Sequence, residues 1–487
     1  MKIYTVDTIR KAEQDANLSG LSYYDMMKRA GINTANEICA KYDIDSMSEC
    51  LITIICGKGR NGGDGFVIAN QLAKYGAKVS LILPYGKPTD EVCIQVFDEL
   101  DSSVYICTEA EYEEYIEKSL FLIDAVFGIG FHGKLDEKIK KIFEYCNINR
   151  ENQIRISIDI ESGVEAASGK YADGYFNAHH IFTMIGLKPC LVGKNATVID
   201  IGVTPEKVDY FVADEEYIRN NLPVRPADSH KGTFGTVLSV CGSYEMPGAA
   251  VLCANAAVCS GCGLVVCAFP KEAYNVIAGK LTEPVLMPLG DNVYENIEAL
   301  VEKSKNAKVL VLGCGLGVSE YAKILVCGLI RKAHCPIVLD ADGLNNIANI
   351  PHILSESKHG ILITPHPAEM SRLSGVPVQD IQLDRMNVAL NFARKYSVTV
   401  LLKGHKTIIA SPNSNLYMNF TGSSALAKGG SGDVLAGVIA ALVAQGLNLV
   451  NAAVVGAYIH GKAGEKAEKE YSAYSATPSR VIELLFS

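Results

Sequence analysis

The sequence has no uninterrupted apolar stretch of the ~20 residues that a membrane-spanning helix needs, so no membrane partner is expected. It also lacks an excess of positive charge: 45 Lys and Arg against 54 Asp and Glu leave a net charge of −9. That balance disfavours an electrostatic nucleic-acid binder, and any phosphate ligand would have to be gripped locally. No low-complexity tract is present, and the 43 glycines fall singly or in short turns, as where strands feed helices in α/β folds. No secretory leader is expected, and the 15 cysteines are scattered, with Cys56, Cys241 and Cys267 inside apolar runs. A reducing cytoplasm is therefore expected rather than a disulfide framework. Cys259 and Cys262 form a CxxC, but no second ligand pair stands at zinc spacing, so buried thiols are favoured over metal or redox use.

What is present is enough apolar side chain, 48% of 487 residues, for two or three domains. Residues 5–16 and 23–40 read as helices, with Gly31 as a packing or kink position. Apolar runs at 51–56, 79–83, 120–124 and 154–159 read as buried parallel strands separated by helices. The rhythm breaks over about 204–228, where Thr204-Pro205 and Pro223-Val224-Arg225-Pro226 bracket an acidic connector. It restarts with expected strands near 235–240, 263–268, 309–312, 336–339, 361–363 and 398–402. Antiparallel strands are expected between 406 and 420, then helices over 432–446 and 449–468. The expected architecture is α/β in two domains, 1–215 and 221–487, each a parallel sheet covered on both faces.

Open parallel sheets bind ligands at the carboxyl ends of their strands. In the second half those ends carry Gly313-Cys314-Gly315-Leu316-Gly317, Asp340-Ala341-Asp342, Thr364-Pro365-His366-Pro367-Ala368-Glu369 and Lys403-Gly404-His405-Lys406-Thr407. The strongest signal is Gly429-Gly430-Ser431-Gly432-Asp433 at a helix start. Its glycines let several N–H groups converge, and the helix N-terminus favours an anion. The dipole should keep Asp433 ionised and of low basicity, able to accept a hydroxyl proton as that oxygen attacks a phosphoryl group. The alternative is a helix-capping acid beside close-packed glycines.

With Ser229-His230-Lys231-Gly232, Gly242-Ser243 and Gly248-Ala249, this set resembles the ribokinase-like fold. Within that fold it is similar to the ADP- or ATP-dependent NAD(P)H-hydrate dehydratases, over nearly all of residues 225–487. The resemblance implies that the hydrate's ring hydroxyl is phosphorylated and expelled as phosphate, regenerating NAD(P)H. It implies ADP or ATP on Lys403, Gly404, His405, Lys406, Thr407 and Gly432, with Mg2+ bridging phosphates. Ala249, Gly317 and His366 would line the hydrate site, with Asp433 on the hydroxyl. Cys314 and Ala368 stand where the family usually has proline and glycine, which affects pocket shape rather than chemistry.

In the first half Cys56-Gly57-Lys58-Gly59-Arg60-Asn61-Gly62-Gly63-Asp64-Gly65 follows a strand and opens a helix, a turn that accommodates phosphate. Asp124-Ala125-Val126-Phe127-Gly128-Ile129-Gly130 and Asp159-Ile160-Glu161-Ser162-Gly163 end two more strands. Their acids either converge on one crevice or cap the helices that follow. With Met27-Lys28-Arg29-Ala30-Gly31 and Gly186-Leu187-Lys188-Pro189, residues 3–210 resemble the NAD(P)H-hydrate epimerase domain. The resemblance implies a Rossmann-like sheet, with K+ on Asn61, Asp124 and Ser162. It implies a hydrate held by Arg60, Asn61, Gly62, Gly63 and Asp64, by Asp159, and by a loop of Gly128, Ile129, Gly130, Phe131, His132, Gly133 and Lys134. Asp159 with Lys188 is the candidate acid/base pair; the alternative is that Lys188 is a solvated strand-end lysine. Arg60, Ile129 and Glu161 replace the family's usual asparagine, threonine and proline. These changes are expected to add a charge near a pyrophosphate, remove a hydroxyl, and loosen the turn that presents Ser162.

Together the resemblances imply a bifunctional repair enzyme. One domain would equilibrate R and S hydrates of NADH and NADPH (NADHX and NADPHX), and the other would dehydrate the S form. Only small-molecule partners are expected, with no nucleic acid. A homo-oligomer is expected, with Ala452, Ala453, Gly456 and Gly461 permitting close helix packing within or between subunits. Two alternatives stand beside this reading: a small-molecule kinase in the second half, or a non-catalytic binding or assembly module in the first.

Overall fold

Short β-branched and leucine-rich runs become the strands of two sheets in the computed structural model, which describes residues 1–42, 50–413 and 415–487. The chain divides into two units, Met1–Asp209 and Tyr210–Ser487.

The first unit holds a seven-stranded sheet in the order Tyr105–Ile106, Lys78–Ile82, Leu51–Cys56, Phe121–Ala125, Ile154–Ile158, His180–Met184, Ala196–Ile199. Every pairing is parallel. From Leu51–Cys56 the chain winds first to one side and then, from Phe121–Ala125 onward, to the other. This Rossmann-like order opens a crevice at the carboxyl ends of those two neighbouring strands. Val6–Leu18 starts at Thr5, whose hydroxyl accepts from Thr8 N. Tyr23–Lys41 packs on Arg60–Lys74, and Gly31 is a packing position: a Cβ there would lie 2.4 Å from Val67. His180–Met184, Ala196–Ile199 and the exposed edge Tyr105–Ile106 lie outside the expected strands; the last is only two residues long and has no apolar run to mark it.

In the second unit the order is Tyr210–Phe211, Leu416–Asn419, Thr407–Ala410, Thr399–Leu402, Ile361–Ile363, Ile337–Leu339, Val309–Leu312, Thr236–Val240, Leu264–Pro270, Val285–Leu289. The Thr407–Ala410 and Leu416–Asn419 pairings are antiparallel, as expected. The chain passes into this unit within the connector, at Tyr210 and ahead of the expected boundary between 215 and 221, because Tyr210–Phe211 pairs with Leu416–Asn419. Val285–Leu289 was not expected; it contains Pro288, which an edge strand tolerates. Ser431–Ala444 is buried throughout from Val434 to Ala444, as befits a helix apolar on all sides. Gly437 lets it approach Pro247–Cys259 so closely that a Cβ would lie 2.3 Å from Cys253 O. Leu449–Ser475 runs past its expected end. Its small residues serve packing inside the unit: Gly456 meets Ile439, Gly461 meets Thr421, and Ala452 and Ala453 are buried. No helix among the described residues is long and apolar enough to cross a membrane.

Candidate active sites

The crevice of the first unit is a cavity of about 880 Å³. Asp159 enters it just after Ile154–Ile158, in a left-handed conformation (φ 70°) that is strained for a non-glycine residue. Lys188 Nζ donates to Asp159 Oδ1 at 2.6 Å, to Thr183 Oγ1 at 2.7 Å and to Met184 O at 2.8 Å. That uses all three ammonium protons, and Lys188 is only 1% exposed, so it is not a solvated strand-end lysine. Ile129 N donates to Asp159 Oδ2 at 3.1 Å. Residue 129 thus reaches Asp159 through its backbone, and the absent hydroxyl does not break that contact.

Arg60 and Asn61 line the cavity from the first turn of their helix and Asp64 from just beyond it, with Gly128, Ile129, Gly130 and Phe131 also in its wall. The Arg60 guanidinium lies 3.9 Å from the centre of the Tyr23 ring. Gly62 and Gly63 do not line the cavity: a Cβ would lie 1.8 Å from Gly57 O or 2.5 Å from Met27 Sδ, so these glycines serve close packing. His132, Gly133 and Lys134 are exposed and outside the lining; Gly133 turns the chain away at φ 88°.

Asp124 is fully buried behind the wall. Ser162 Oγ donates to its Oδ1 at 2.6 Å, and Ser162 N and Ser157 Oγ each donate to Oδ2 at 2.9 Å. Burial pushes the Asp124 carboxyl up to about 6 against the pull of these hydrogen bonds. Phe127 N donates to Ser162 Oγ at 2.8 Å. Asn61 lies against neighbouring Gly128, and both of its buried amide atoms lack a hydrogen-bond partner. Among the described residues no cationic side chain is bonded to Asp124. A buried uncompensated carboxylate and an unpartnered amide oxygen fit an alkali cation. Glu161 does not loosen this turn. It is buried, ion-pairs with Lys194, and accepts from Ala178 N at 3.3 Å.

Sequence reasoning missed Arg10, Glu13 and Gln14, which line the cavity from Val6–Leu18. Their i, i+3, i+4 spacing on one helix face was the only local signal. Burial, then the charge of Asp159, pushes the Glu13 carboxyl up. Burial, then Asp159 and Glu13, pushes Asp64 well above the usual carboxylate range.

In the second unit the carboxyl ends of five neighbouring parallel strands meet the start of Ser431–Ala444. Gly430 caps that helix at φ 98°. A Cβ on Gly432 would lie 3.3 Å from Lys403 Nζ and 3.5 Å from Asp340 Oδ2. Lys403 Nζ sits 2.7 Å from Asp340 Oδ1 and 3.9 Å from Glu369 Oε2. Burial alone would lower the Lys403 ammonium, but these two carboxylates outweigh it and hold the group above its ordinary range. The Asp433 carboxyl is pushed up to about 7, first by burial and then by the charge of Asp340. A hydrogen bond from the Cys314 thiol and the charge of Lys403 oppose the shift. The expected low basicity of Asp433 is therefore corrected, because desolvation outweighs the helix dipole.

His366 Nδ1 accepts from Ala368 N at 3.1 Å and Glu369 N at 3.3 Å, while His366 N donates to Glu369 Oε2 at 2.8 Å. This capping box starts Pro367–Ser374, and burial, then Lys403, holds the ring below the usual histidine range. Arg385, another residue without a motif, grips the Lys403–Thr407 turn by donating to the carbonyls of Leu402, Lys403, His405 and Lys406 at 2.6–3.3 Å. Gly404 allows this, since a Cβ would lie 2.7 Å from Arg385 Nη2. Thr407 Oγ1 donates to Gly404 O at 3.0 Å. Gly317 N donates to Asp342 Oδ2 at 2.9 Å, and Ala249 packs against Gly315 in the same loop. Asp433, Gly432 and Lys403 are thus brought together, His366 is tied to them through Glu369, and Ala249 and Gly317 flank the 313–317 loop.

Two parallel-sheet units, each with a lysine–carboxylate pair at its strand ends, define a fused two-domain α/β enzyme. Comparison with known proteins assigns it further. The family described as NAD(P)H-hydrate dehydratase matches residues 237–486, and that described as YjeF-related protein N-terminus matches residues 23–190. The bifunctional NAD(P)H-hydrate repair enzyme Nnr of Moorella thermoacetica is 34% identical over 472 residues, covering 91% of this chain and 88% of that one. The ADP-dependent (S)-NAD(P)H-hydrate dehydratase of Neisseria meningitidis is 39% identical over 246 residues, covering 50% of this chain and 80% of that one. Among solved structures, the Bacillus subtilis ADP/ATP-dependent NAD(P)H-hydrate dehydratase, co-crystallised with ATP/Mg2+, is similar at TM-score 0.51 and 33% identity. It covers 56% of this chain and 95% of that one. The chain belongs to the family of bifunctional NAD(P)H-hydrate repair enzymes.

Proposed function

We infer that the chain repairs damaged nicotinamide nucleotides: it epimerises the R and S hydrates of NAD(P)H and dehydrates the S-hydrate to NAD(P)H using ADP or ATP. The observation that carries the dehydratase half is the Asp433 carboxyl, raised to about 7 beside Gly432 and Lys403. A carboxylate of that basicity is a far better proton acceptor at neutral pH than an ordinary one. On this reading Asp433 takes the proton of the hydrate's hydroxyl as that oxygen attacks the terminal phosphoryl group. The phosphorylated oxygen then leaves as phosphate, and the reduced ring is restored. The N–H groups at the helix start and the 403–407 turn hold the nucleotide phosphates. Mg2+ would arrive on those phosphates and neutralise charge there, as Mg2+ usually does, rather than in a protein cage. Ala249, Gly317 and His366 are proposed to shape the hydrate side of the pocket.

For the epimerase half, Asp159 and Lys188 are the proposed acid/base pair. Lys188 holds Oδ1 and Ile129 N holds Oδ2, which fixes the carboxylate plane at the cavity. Arg60, Asn61, Asp64 and the 128–131 wall are the proposed hydrate contacts. K+ on Asn61, Asp124 and Ser162 would supply the positive charge that the buried carboxylate lacks. Replacing K+ by tetramethylammonium should slow epimerisation, and Asn61→Ala should remove that dependence. Scattered free cysteines support a cytoplasmic location. A homo-oligomer is proposed on the resemblance alone, and sedimentation tests it.

The direct test uses the separated epimers. Asp159→Ala should abolish NAD(P)H recovery from the R-hydrate and leave S-hydrate turnover unchanged. Unchanged R-hydrate turnover would make the first unit a binding or assembly module.

A further inference from the structure

Three cysteines distant in sequence meet directly behind Asp433. Cys241 ends the Thr236–Val240 strand, Cys253 lies in Pro247–Cys259, and Cys314 follows Val309–Leu312. Their sulfurs lie within 4.8 Å of one another, and all three residues are buried. Gly242 N donates to Cys314 O at 2.7 Å, which locks two of the three strand-end loops together. The CxxC pair is not involved: Cys259 is exposed, and the Cys262 thiol donates to Ala257 O.

We propose that Cys241, Cys253 and Cys314 form a binding site for one thiophilic d10 divalent cation, with the Asp433 carboxylate as fourth donor, and that filling it switches off the dehydratase. Tetrahedral zinc with sulfur at about 2.3 Å places its sulfurs about 3.8 Å apart, so the cage closes with sulfur movements of about an ångström or less. Asp433 is not among the side chains whose donor atoms lie within 4.8 Å of one another, but its carboxyl interacts with Cys241 and Cys314, so the coordination position left open by three sulfurs is filled when the carboxylate assigned as base moves in. On binding, the three cysteine S–H bonds break, three metal–sulfur bonds and one metal–oxygen bond form, and the thiol protons leave together with that of Asp433 where its carboxyl is protonated; no electron changes hands. Three thiolates and one carboxylate around a divalent cation leave two net negative charges, and the Lys403 ammonium, which feels the charge of Cys314, offsets one of them. Cys253 and Cys314 are held well above the ordinary thiol range by their hydrogen bonds to Cys241 and by burial, so capture must displace bound protons.

The test titrates the metal-free full chain with Cd2+, reading uptake and the ultraviolet thiolate-to-cadmium band. Wild type and Cys259→Ser should each bind one more Cd2+ per chain than Cys253→Ala or Cys314→Ala. Equal uptake by all four proteins would overturn the site. Cadmium-113 NMR of wild type keeps the test independent of how the variants fold: a resonance from three-sulfur coordination is expected, and its absence overturns the proposal. The activity arm rests on Asp433 as base. One equivalent of Zn2+ should lower dehydratase turnover about a hundredfold or more and spare the epimerase. Full turnover with the cage filled would remove Asp433 from the ligand set and end the switch, even where the metal binds.

Discussion

Asp433 and Asp159 each sit among strand ends near a lysine, Asp433 on a helix and Asp159 just after a strand, and their settings differ. Asp433 lies in the first turn of a helix, where the dipole favours the charged form, but burial and Asp340 push its carboxyl up to about 7. The group is therefore protonated as pH falls through about 7, and the base is lost. Dehydratase kcat/KM should fall on the acid side with a midpoint near 7, and Asp433→Asn should lower it by about two to four orders of magnitude. A flat profile from pH 6 to 8 would contradict the assignment. Lys188 is a different case, since its ammonium is bonded to three acceptors in a buried pocket. Lys188→Met leaves Asp159 without its partner and should destabilise the first unit by about 3–5 kcal/mol, read from chemical denaturation.

At the scale of elements, the helix Ser431–Ala444 carries both the Gly432 backbone and Asp433, and its placement depends on Gly437. Gly437→Ala should cost about 1–3 kcal/mol through overpacking against Cys253 O, seen as a lower Tm in calorimetry. Motifs such as 57–64 and 429–433 were legible in the sequence because each is one contiguous glycine-rich segment at a helix start. Arg385 and Glu13 were not, because each acts from a helix on residues of other elements with which it shares no contiguous motif. The three cysteines behind Asp433 escaped for the same reason, since only the sheet order brings residues 241, 253 and 314 together. The protonation of Asp433 was misread because the dipole is a local property and burial is not.

The whole molecule joins two chemistries that act on one metabolite. Damage yields both epimers of the hydrate, while a chiral dehydratase pocket accepts one, so an epimerase on the same chain returns the other to use. Resemblance carried that pairing from the sequence, and the two sheets supply a strand-end site for each half. The measurement that bears most directly on it supplies mixed R and S hydrates with ADP or ATP and follows NAD(P)H recovery against heat-inactivated enzyme as a control for spontaneous exchange. The account predicts recovery of all the hydrate with wild type and of only about half with Asp159→Ala. Recovery stopping near half with wild type would contradict the epimerase, and no recovery at all would contradict the repair function.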